Sequence, residues 1–365
     1  MEMLHVTLDH IRKCMNRFVI GHDDIKEAIL LGLIAREHVY VEGPPGTAKT
    51  MLAEIAAKAA NLEFFFYQLH RDTRLTELIG DYVIHRERED QSELIRQDIV
   101  RGRILTADIC VLDDISRAPG EALNVLLRVL NERKFGKERI PLITTIATGN
   151  PARDDYYNEP LDLANLDRFT LQLRIVGLIQ KNRWEMARQV IDFYSQFDFD
   201  DQEIEPDTVG NLKNYRNILL KVTLPNAVKE MLLSFITNLV TRFDLNDNNS
   251  LITDRTFLVK AVKMLKAKAV LERRWVVEPE DLIVLKYLTT FRVPPEVHEK
   301  IEELVQEAEQ KKNDEIEEEE FSEPNPEETA PTEEAQETTV EAEATPAEED
   351  TEEDTGQERQ GDQHD

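Results

Sequence analysis

The octapeptide GPPGTAKT, residues 43–50, constrains the fold of this chain more than any other stretch. It follows the apolar run HVYVE (38–42) and precedes MLAEIAAKAA (51–60), an alanine-rich pattern typical of a helix. Glycines let the backbone curl until successive N–H groups point at one anion, and the N-terminus of the following helix adds its positive dipole end. A strand, a glycine loop and a helix in this order predict a phosphate-binding loop; a Pro-Gly turn before an ordinary helix is the simpler alternative.

The residue types inside this loop suit a nucleotide and its metal ion, so ATP and Mg²⁺ are the predicted cofactors. Lys49 can reach the β- and γ-phosphates, and the Thr50 hydroxyl can ligate Mg²⁺. The generic pattern has glycine where this chain has Ala48, and alanine is tolerable there if that residue has helical dihedrals. The predicted nucleotide contacts are Gly43, Pro44, Pro45, Gly46, Thr47, Ala48, Lys49, Thr50 and Met51.

A second nucleotide contact is predicted upstream of the loop. The short segment VIGHD (19–23) interrupts the helical spacing of apolar residues between positions 4 and 35. In P-loop ATPases a short apolar segment at this point often lies over the adenine, so Ile20 and Gly21 are candidate base contacts. A plain turn between two helices is the alternative interpretation.

Two adjacent carboxylates follow a buried-strand pattern in DICVLDDISRAPG (108–120). The apolar residues 109–112 are typical of a parallel strand, and the strand ends at Asp113 and Asp114. Beside a phosphate site, such a pair has to handle Mg²⁺ and an attacking water. Asp113 would hold the metal shell, and Asp114 would orient or deprotonate the water; an acidic β-turn is the alternative.

The remaining patterns up to residue 176 alternate strand and helix, which predicts an α/β fold with a parallel sheet. The predicted elements are strands over 62–70, within 141–151 and directly after Arg168, helices over 72–101 (interrupted by a hairpin-like excursion) and 119–132, and a hairpin-like link over 134–140. Asn150 is the polar residue at the end of the strand in 141–151. Arg168 stands immediately before the fifth strand, where a surface salt bridge is the alternative role.

Beyond Gly177 the strand patterns stop and helical patterns take over, including helices predicted over 277–288 and 293–312. Thr253 is a candidate N-cap, which puts Arg255 in the first turn of a helix, an unfavourable place for a cation with respect to the helix dipole. A bound phosphate would give that arginine a reason to be there. We therefore expect an αβα core over 1–176, a helical lid over 177–312 and a disordered acidic tail over 313–365.

The charge and cysteine content narrow the class of protein. Residues 313–365 carry 23 Asp/Glu and one basic residue, so the net charge of −29 divides into −22 for this tail and −7 for residues 1–312. Such a balance argues against nucleic-acid binding, although it leaves room for a small basic patch. Two distant cysteines, Cys14 and Cys110, argue against a disulfide framework. Without a signal-peptide pattern or a membrane-spanning apolar run, we expect a cytoplasmic protein with no membrane span.

The ordered set GPPGTAKT, VLDDISRAPGEALNVLLRVLNERKF, IATGNP, LDRF and TDRTFLVKAV resembles the MoxR family of AAA+ ATPases over roughly residues 10–300, with a lid most similar to the RavA-containing branch. The resemblance implies a Walker A loop at 43–50, Walker B at Asp113 and Asp114, and sensor 1 at Asn150. It also implies an arginine finger at Arg168 and sensor 2 at Arg255. The implied fold is a five-stranded parallel sheet between helices with a small all-helical lid, assembled as a ring of about six. The implied role is ATP-driven remodelling or maturation of a protein complex, with a partner that carries a von Willebrand factor A (VWA) domain.

Two residues depart from the family pattern, which usually has Glu at the position of Asp114 and Asn at that of Ser116. An aspartate carboxylate is one methylene shorter, a retreat of roughly 1.5 Å. Because a misplacement of ~1 Å can reduce a rate on the order of 10²-fold, slow hydrolysis is expected unless the strand lies closer to the nucleotide.

Three functions are consistent with these features. The first is a ring-forming ATPase that remodels a protein partner. The second is a nucleotide-dependent scaffold or switch that hardly hydrolyses ATP, which the short Asp114 favours. The third is a DNA-associated AAA+ protein, which the acidic balance disfavours.

Overall fold

The computed structural model describes residues 2–89, 92–151, 161–177, 183–196, 204–208, 211–246, 248–252 and 255–310, without the side chains of 82–99 and 101. The strands are β1 (Val39–Glu42), β2 (Phe64–Gln68), β3 (Gly80–Glu89), β4 (Ser92–Arg101), β5 (Ile109–Asp113), β6 (Lys134–Phe135), β7 (Glu138–Arg139), β8 (Thr144–Gly149) and β9 (Leu171–Arg174). The α-helices are α1 (Glu2–Phe18), α2 (Asp23–Ala35), α3 (Lys49–Ala59), α4 (Leu75–Ile79), α5 (Gly120–Glu132), α6 (Leu163–Leu166), α7 (Trp184–Ser195), α8 (Asn226–Phe243), α9 (Arg255–Leu271), α10 (Lys286–Thr289), α11 (Pro295–His298) and α12 (301–310).

Five of the strands form one parallel sheet in the order β2-β5-β8-β1-β9. Alternate residues of each strand enter different hydrophobic clusters: Val39 and Val41 belong to one, and Tyr40, between them, belongs to the other. Both faces of the sheet are therefore covered, which explains why its strands are continuous apolar runs.

More helices pack on one face of the sheet than on the other. Residues of α1, α2 and α3 share the first cluster with the sheet and with the later helices α8 to α12, whereas α4 and α5 contribute to the second cluster. The predicted five-stranded α/β sheet and helical lid region are confirmed. Residues 1–318 form one compact unit, so the domain boundary near residue 176 stays a prediction.

The excursion predicted within residues 72–101 is confirmed as the short helix α4 followed by the antiparallel hairpin of β3 and β4. The hairpin-like link over 134–140 is likewise the pair of β6 and β7.

Two helix predictions near the C-terminus are wrong in detail. Instead of one α-helix over 277–288, a 3₁₀ helix spans Pro279–Leu285 before α10, and its tight turn holds the buried Asp281 against Arg274 at 2.7 Å. The continuous helix predicted over 293–312 is divided between α11 and α12.

The predicted acidic tail and the candidate N-cap Thr253 lie outside the described residues. Among the residues that the structure describes, no helix is both long and apolar enough to cross a membrane.

Candidate active site at the carboxyl edge of the sheet

The predicted phosphate loop lies between the end of β1 and the start of α3. It is joined to the neighbouring strand because the Gly43 N–H donates to the carbonyl of Gly149, at the end of β8, over 3.0 Å. Gly46 has φ 81°, in the left-handed region that glycine adopts without strain. Ala48 also lies there, with φ 56° and ψ 19°, so the condition of helical dihedrals under which alanine would be tolerated is not met. The loop needs the left-handed bend before α3 begins, and an alanine adopts it at a cost of about 1–2 kcal/mol.

Lys49 is folded back over the loop. Its Nζ donates to the carbonyls of Gly43 and Pro44 over 2.8 and 2.9 Å, and only 7% of the residue is exposed. Burial lowers the pKa of Lys49, and the carboxylates Asp113 and Asp114 oppose that effect. The Lys49 ammonium is thus held at the loop, where it interacts electrostatically with Asp113 and Asp114.

The acidic pair lies at the same edge of the sheet. Asp113 Oδ1 accepts a 2.5 Å hydrogen bond from the hydroxyl of Thr148, on β8. Asp114 is buried and has left-handed dihedrals (φ 53°, ψ 48°). Its Oδ1 accepts a hydrogen bond from Asn150 Nδ2 over 2.5 Å, and its Oδ2 lies 3.5 Å from Arg117 Nε. Burial raises the pKa of Asp114; Arg117 opposes this effect, and Asp113 adds to it.

The segment with Ile20 and Gly21 reaches the neighbourhood of the loop. Burial lowers the pKa of His22, and the charges of Lys26, Lys49 and Arg183 contribute, which places His22 within electrostatic range of Lys49. Gly21 has φ 74°, and a Cβ there would lie 2.7 Å from Met186 Sδ. A cavity of about 450 Å³ opens beside this contact, lined by residues 22–25, 172–176, 183, 186 and the helices after residue 285.

Arg168 is not at this edge. Since all strands of the sheet run parallel, the loop and the acidic pair lie at their carboxyl ends, whereas Arg168 precedes β9 and so lies near the amino ends. From Val39, which pairs with Leu171 at the start of β9, to Gly43 the chain advances about 13 Å. The Nε of Arg168 is buried and has no hydrogen-bond partner among the described residues.

Arg255, the first residue of α9, lies beyond the amino ends as well. Lys263 pairs with Glu37, just before β1, and Lys268 pairs with Glu27 on α2 at 2.6 Å. The later residue of α9, Lys268, therefore pairs with the earlier of the two partners, Glu27 of α2, so α9 runs antiparallel to α2. Its first residue lies about 12 Å before Lys263, on the side away from the loop.

A buried ion cluster joins α9 to the segment that carries Arg168. Asp167 Oδ1 accepts from Lys260 Nζ of α9 over 2.9 Å and from Arg292 Nε over 3.0 Å. The Arg292 side chain is fully buried and also donates to the carbonyls of Thr170, Leu288 and Phe169. The two predicted arginines therefore belong to one connected structure at the amino edge.

Oxygen donors at the carboxyl edge fit a hard cation. The carboxylate of Asp113 and the half-buried hydroxyl of Thr50 are the ligand types that Mg²⁺ takes when it is bound with a nucleotide. The loop with Lys49, the acidic pair and Asn150 are brought together as predicted, while Arg168 and Arg255 are kept apart from them.

Some residues of this edge were missed by the sequence interpretation. His22 follows Gly21 directly and Arg117 is three residues after Asp114, so a short separation along the chain could have indicated both. Ile175, whose Cβ lies 3.0 Å from the Cβ position of Gly43, and Met186 come together only through tertiary packing.

Together, the sheet order, the glycine loop and the later helices define a P-loop domain of the AAA+ type with a helical lid. Comparison with protein families makes this more specific. Residues 6–214 match the family described as the MoxR domain in the MoxR-vWA-beta-propeller ternary systems, and residues 231–305 match an AAA lid domain. The chain therefore belongs to the MoxR family.

Individual relatives agree with this placement. The chain is 28% identical over 291 residues to the uncharacterized protein MJ0079 of Methanocaldococcus jannaschii. The matched residues make up 79% of this chain and 70% of the relative. It is 31% identical over 166 residues to the chaperone MoxR1 of Mycobacterium tuberculosis, covering 44% and 42% of the two chains. A crystal structure of a "putative ATPase" from Cytophaga hutchinsonii has the same fold, with a TM-score of 0.62 at 19% identity over 84% of this chain and 94% of that one.

Proposed function

We propose that this protein is a ring-forming ATPase in which each site is completed by a neighbouring copy. The observation that carries the proposal is the division of the predicted site between two edges of the sheet. Lys49, Asp114 and Asn150 share the carboxyl edge, and Arg168 and Arg255 share the amino edge. In a head-to-tail ring the amino edge of one copy faces the carboxyl edge of the next, as in any heterologous contact that closes. A ring of about six copies is the assembly we infer.

The residues of the carboxyl edge have distinct roles in this proposal. The loop amides and the Lys49 ammonium bind the phosphates of ATP. Asp113 and Thr50 would hold Mg²⁺, which would supply charge neutralisation for the phosphates of ATP. Asp114 orients the attacking water and accepts its proton, and its raised pKa makes it a stronger base. Asn150 fixes the carboxylate of Asp114 through the hydrogen bond that the two share.

The arginines act in the neighbouring copy. A guanidinium places several donors in a fixed fork, which suits the charge that develops on the γ-phosphate during transfer. Arg168 is the finger in this proposal, and Arg255 binds the phosphates from the start of α9. The buried cluster at Asp167 keeps both arginines in fixed relative positions.

We infer that hydrolysis drives the remodelling or maturation of a protein complex. The family description names systems that combine a MoxR domain with a vWA component and a β-propeller, and one relative is named a chaperone. A protein with a VWA domain is therefore the partner that we propose.

A nucleotide-dependent switch with little turnover is the second candidate, and one observation favours it. The short carboxylate of Asp114 is already engaged by Asn150 and Arg117, which reduces its freedom to approach a water. Turnover distinguishes the two candidates.

Phosphate release by the purified full-length protein, with Mg²⁺ and ATP, tests the proposal. We expect steady-state hydrolysis in the wild type and neither binding nor hydrolysis in Lys49→Ala. ATP binding without turnover would support the switch. A fluorescent ATP analogue that binds Lys49→Ala as tightly as the wild type would contradict the phosphate-loop assignment.

A further inference from the structure

A second cavity, of about 430 Å³, opens at the amino edge of the sheet, away from the phosphate loop. It lies where α2 and α5 end and where the chain enters β8. Its described lining includes six cations and one anion, Glu132; the cations are Arg36, Arg133, Lys134, Arg139, Lys213 and Arg216. We call this the basic cavity, because six of these residues carry a positive charge and one carries a negative charge.

The positive charge exceeds what the surrounding structure neutralises. Lys213 pairs with the buried carboxylate of Asp108 at 2.7 Å, which removes one charge. Arg36 and Arg133 stand at the C-caps of α2 and α5, whose two helix ends together supply about one negative charge. Glu132 is held by Arg128, which does not line the cavity, at 2.8 Å. About four positive charges are left, too many to be explained as caps of two helices.

The cations of the basic cavity lie close enough to repel one another, and this repulsion adds to the effect of burial on the pKa of two arginines. Burial lowers the pKa of Arg36, and the nearby charges of Arg133 and Arg216 lower it further. Burial also lowers the pKa of Arg133; the charge of Glu37 opposes this effect, and the charge of Arg216 adds to it. Arg133 Nε is buried without a hydrogen-bond partner among the described residues, although Nη2 of the same side chain donates to Ile143 O. An anion bound in the cavity would relieve the repulsion among these cations.

We propose that the basic cavity binds a small anion carrying two or three phosphate groups, at a site separate from the nucleotide loop. Its volume lies in the range of small-molecule pockets, about 300–1,000 Å³. Guanidinium groups bind phosphate oxygens in pairs, and at least four of the lining side chains are arginines.

Charge density favours phosphate over an acidic peptide. A phosphate group carries about 1.5–2 negative charges at neutral pH, so two or three of them balance the excess within a short distance. Four carboxylates on an extended peptide span about 10 Å and point alternately to opposite sides, so they cannot all face the cavity.

Inorganic tripolyphosphate is the probe for this site, titrated by calorimetry into the full-length Lys49→Ala variant to remove binding at the loop. We compare that variant with one that also carries Arg139→Gln and Arg216→Gln. Both arginines are exposed, so their replacement should leave the fold intact. The matched control carries Arg188→Gln and Lys229→Gln, two exposed cations outside the cavity, and so has the same net charge.

The cavity variant is expected to bind tripolyphosphate on the order of 100-fold more weakly, since each lost charge-assisted hydrogen bond contributes about tenfold. The control should bind as Lys49→Ala does. Equal binding by the cavity variant and the control, or no binding by any protein, would overturn the proposal. Tighter binding of an octaglutamate peptide or of a DNA oligonucleotide than of tripolyphosphate would also overturn it, by showing another ligand class. None of these outcomes depends on whether the protein hydrolyses ATP.

Discussion

Replacement of Asp167 by asparagine should destabilise the protein markedly, although the two side chains have nearly the same shape. Asp167 is the carboxylate between Lys260 and Arg292, whose side chains are 13% and 0% exposed. The substitution removes the carboxylate that both buried cations contact and leaves them the more distant charge of Glu37, which is itself paired with Lys263. Removing one partner from a buried ion pair costs about 3–5 kcal/mol, whereas exposed pairs contribute about 0–1 kcal/mol. Because Asp167 is one-third exposed, we expect a loss at the lower end, about 3 kcal/mol.

Urea unfolding of the nucleotide-free protein measures this loss as a change in the free energy of unfolding. Glu307→Gln is the matched control, since it removes the carboxylate from the pair with Arg242, whose two side chains are 51% and 39% exposed. That variant should lose less than about 0.5 kcal/mol. If Asp167→Asn costs no more than the control, burial does not strengthen the cluster, and the argument that it fixes Arg168 relative to α9 fails.

Three further predictions follow from single residues. Burial lowers the pKa of His38 to about 4 from an ordinary 6.5, so the unfolded chain binds more protons between these values, and stability falls as the pH drops. Between pH 7 and pH 5 this residue should lower the free energy of unfolding, measured in urea, by about 2 kcal/mol. His38→Gln should lack this pH-dependent loss, and an identical pH slope in both proteins would refute the prediction. Ala48→Gly should change stability by less than about 1 kcal/mol, because relief of the left-handed strain offsets the added freedom of the unfolded chain, whereas Ala48→Val should cost more than about 1 kcal/mol in the same assay. Asp114→Glu should raise kcat for phosphate release, by up to about 10²-fold, if the short carboxylate limits the rate; an unchanged or lower kcat would mean that the backbone has adapted to aspartate.

Local patterns predicted the parts of the molecule that depend on neighbours in sequence. The loop at 43–50, the strand that ends in Asp113 and the hairpin of β3 and β4 each carry their own signal in glycine placement, apolar runs or polar alternation. The carboxyl ends of parallel strands meet at one edge, so the grouping of the loop with Asp114 and Asn150 also followed from the predicted topology.

Features set by tertiary packing were not predictable in the same way. The left-handed conformation of Ala48 follows from how the loop meets α3, and no residue type marks it. The position of Arg255 depends on the direction of α9 against α2, which the distant pairs of Lys263 with Glu37 and of Lys268 with Glu27 reveal. The basic cavity likewise collects residues from separate segments, so the basic run at 133–139 did not by itself show that Arg36 and Arg216 would join it.

The most direct test of the shared site is a mixture of two inactive variants. Lys49→Ala retains the amino-edge arginines, and Arg168→Ala retains the loop; alone, Arg168→Ala should bind ATP but hydrolyse it about 10³-fold more slowly.

In an equal mixture of exchanging subunits, about a quarter of the interfaces pair an intact loop with an intact finger, so phosphate release should return to about that fraction of the wild-type rate. The control mixture of Lys49→Ala with Asp114→Asn should stay inactive, because both defects lie at the same edge. If the first mixture stays as inactive as its components while subunits demonstrably exchange, the site is not shared between copies.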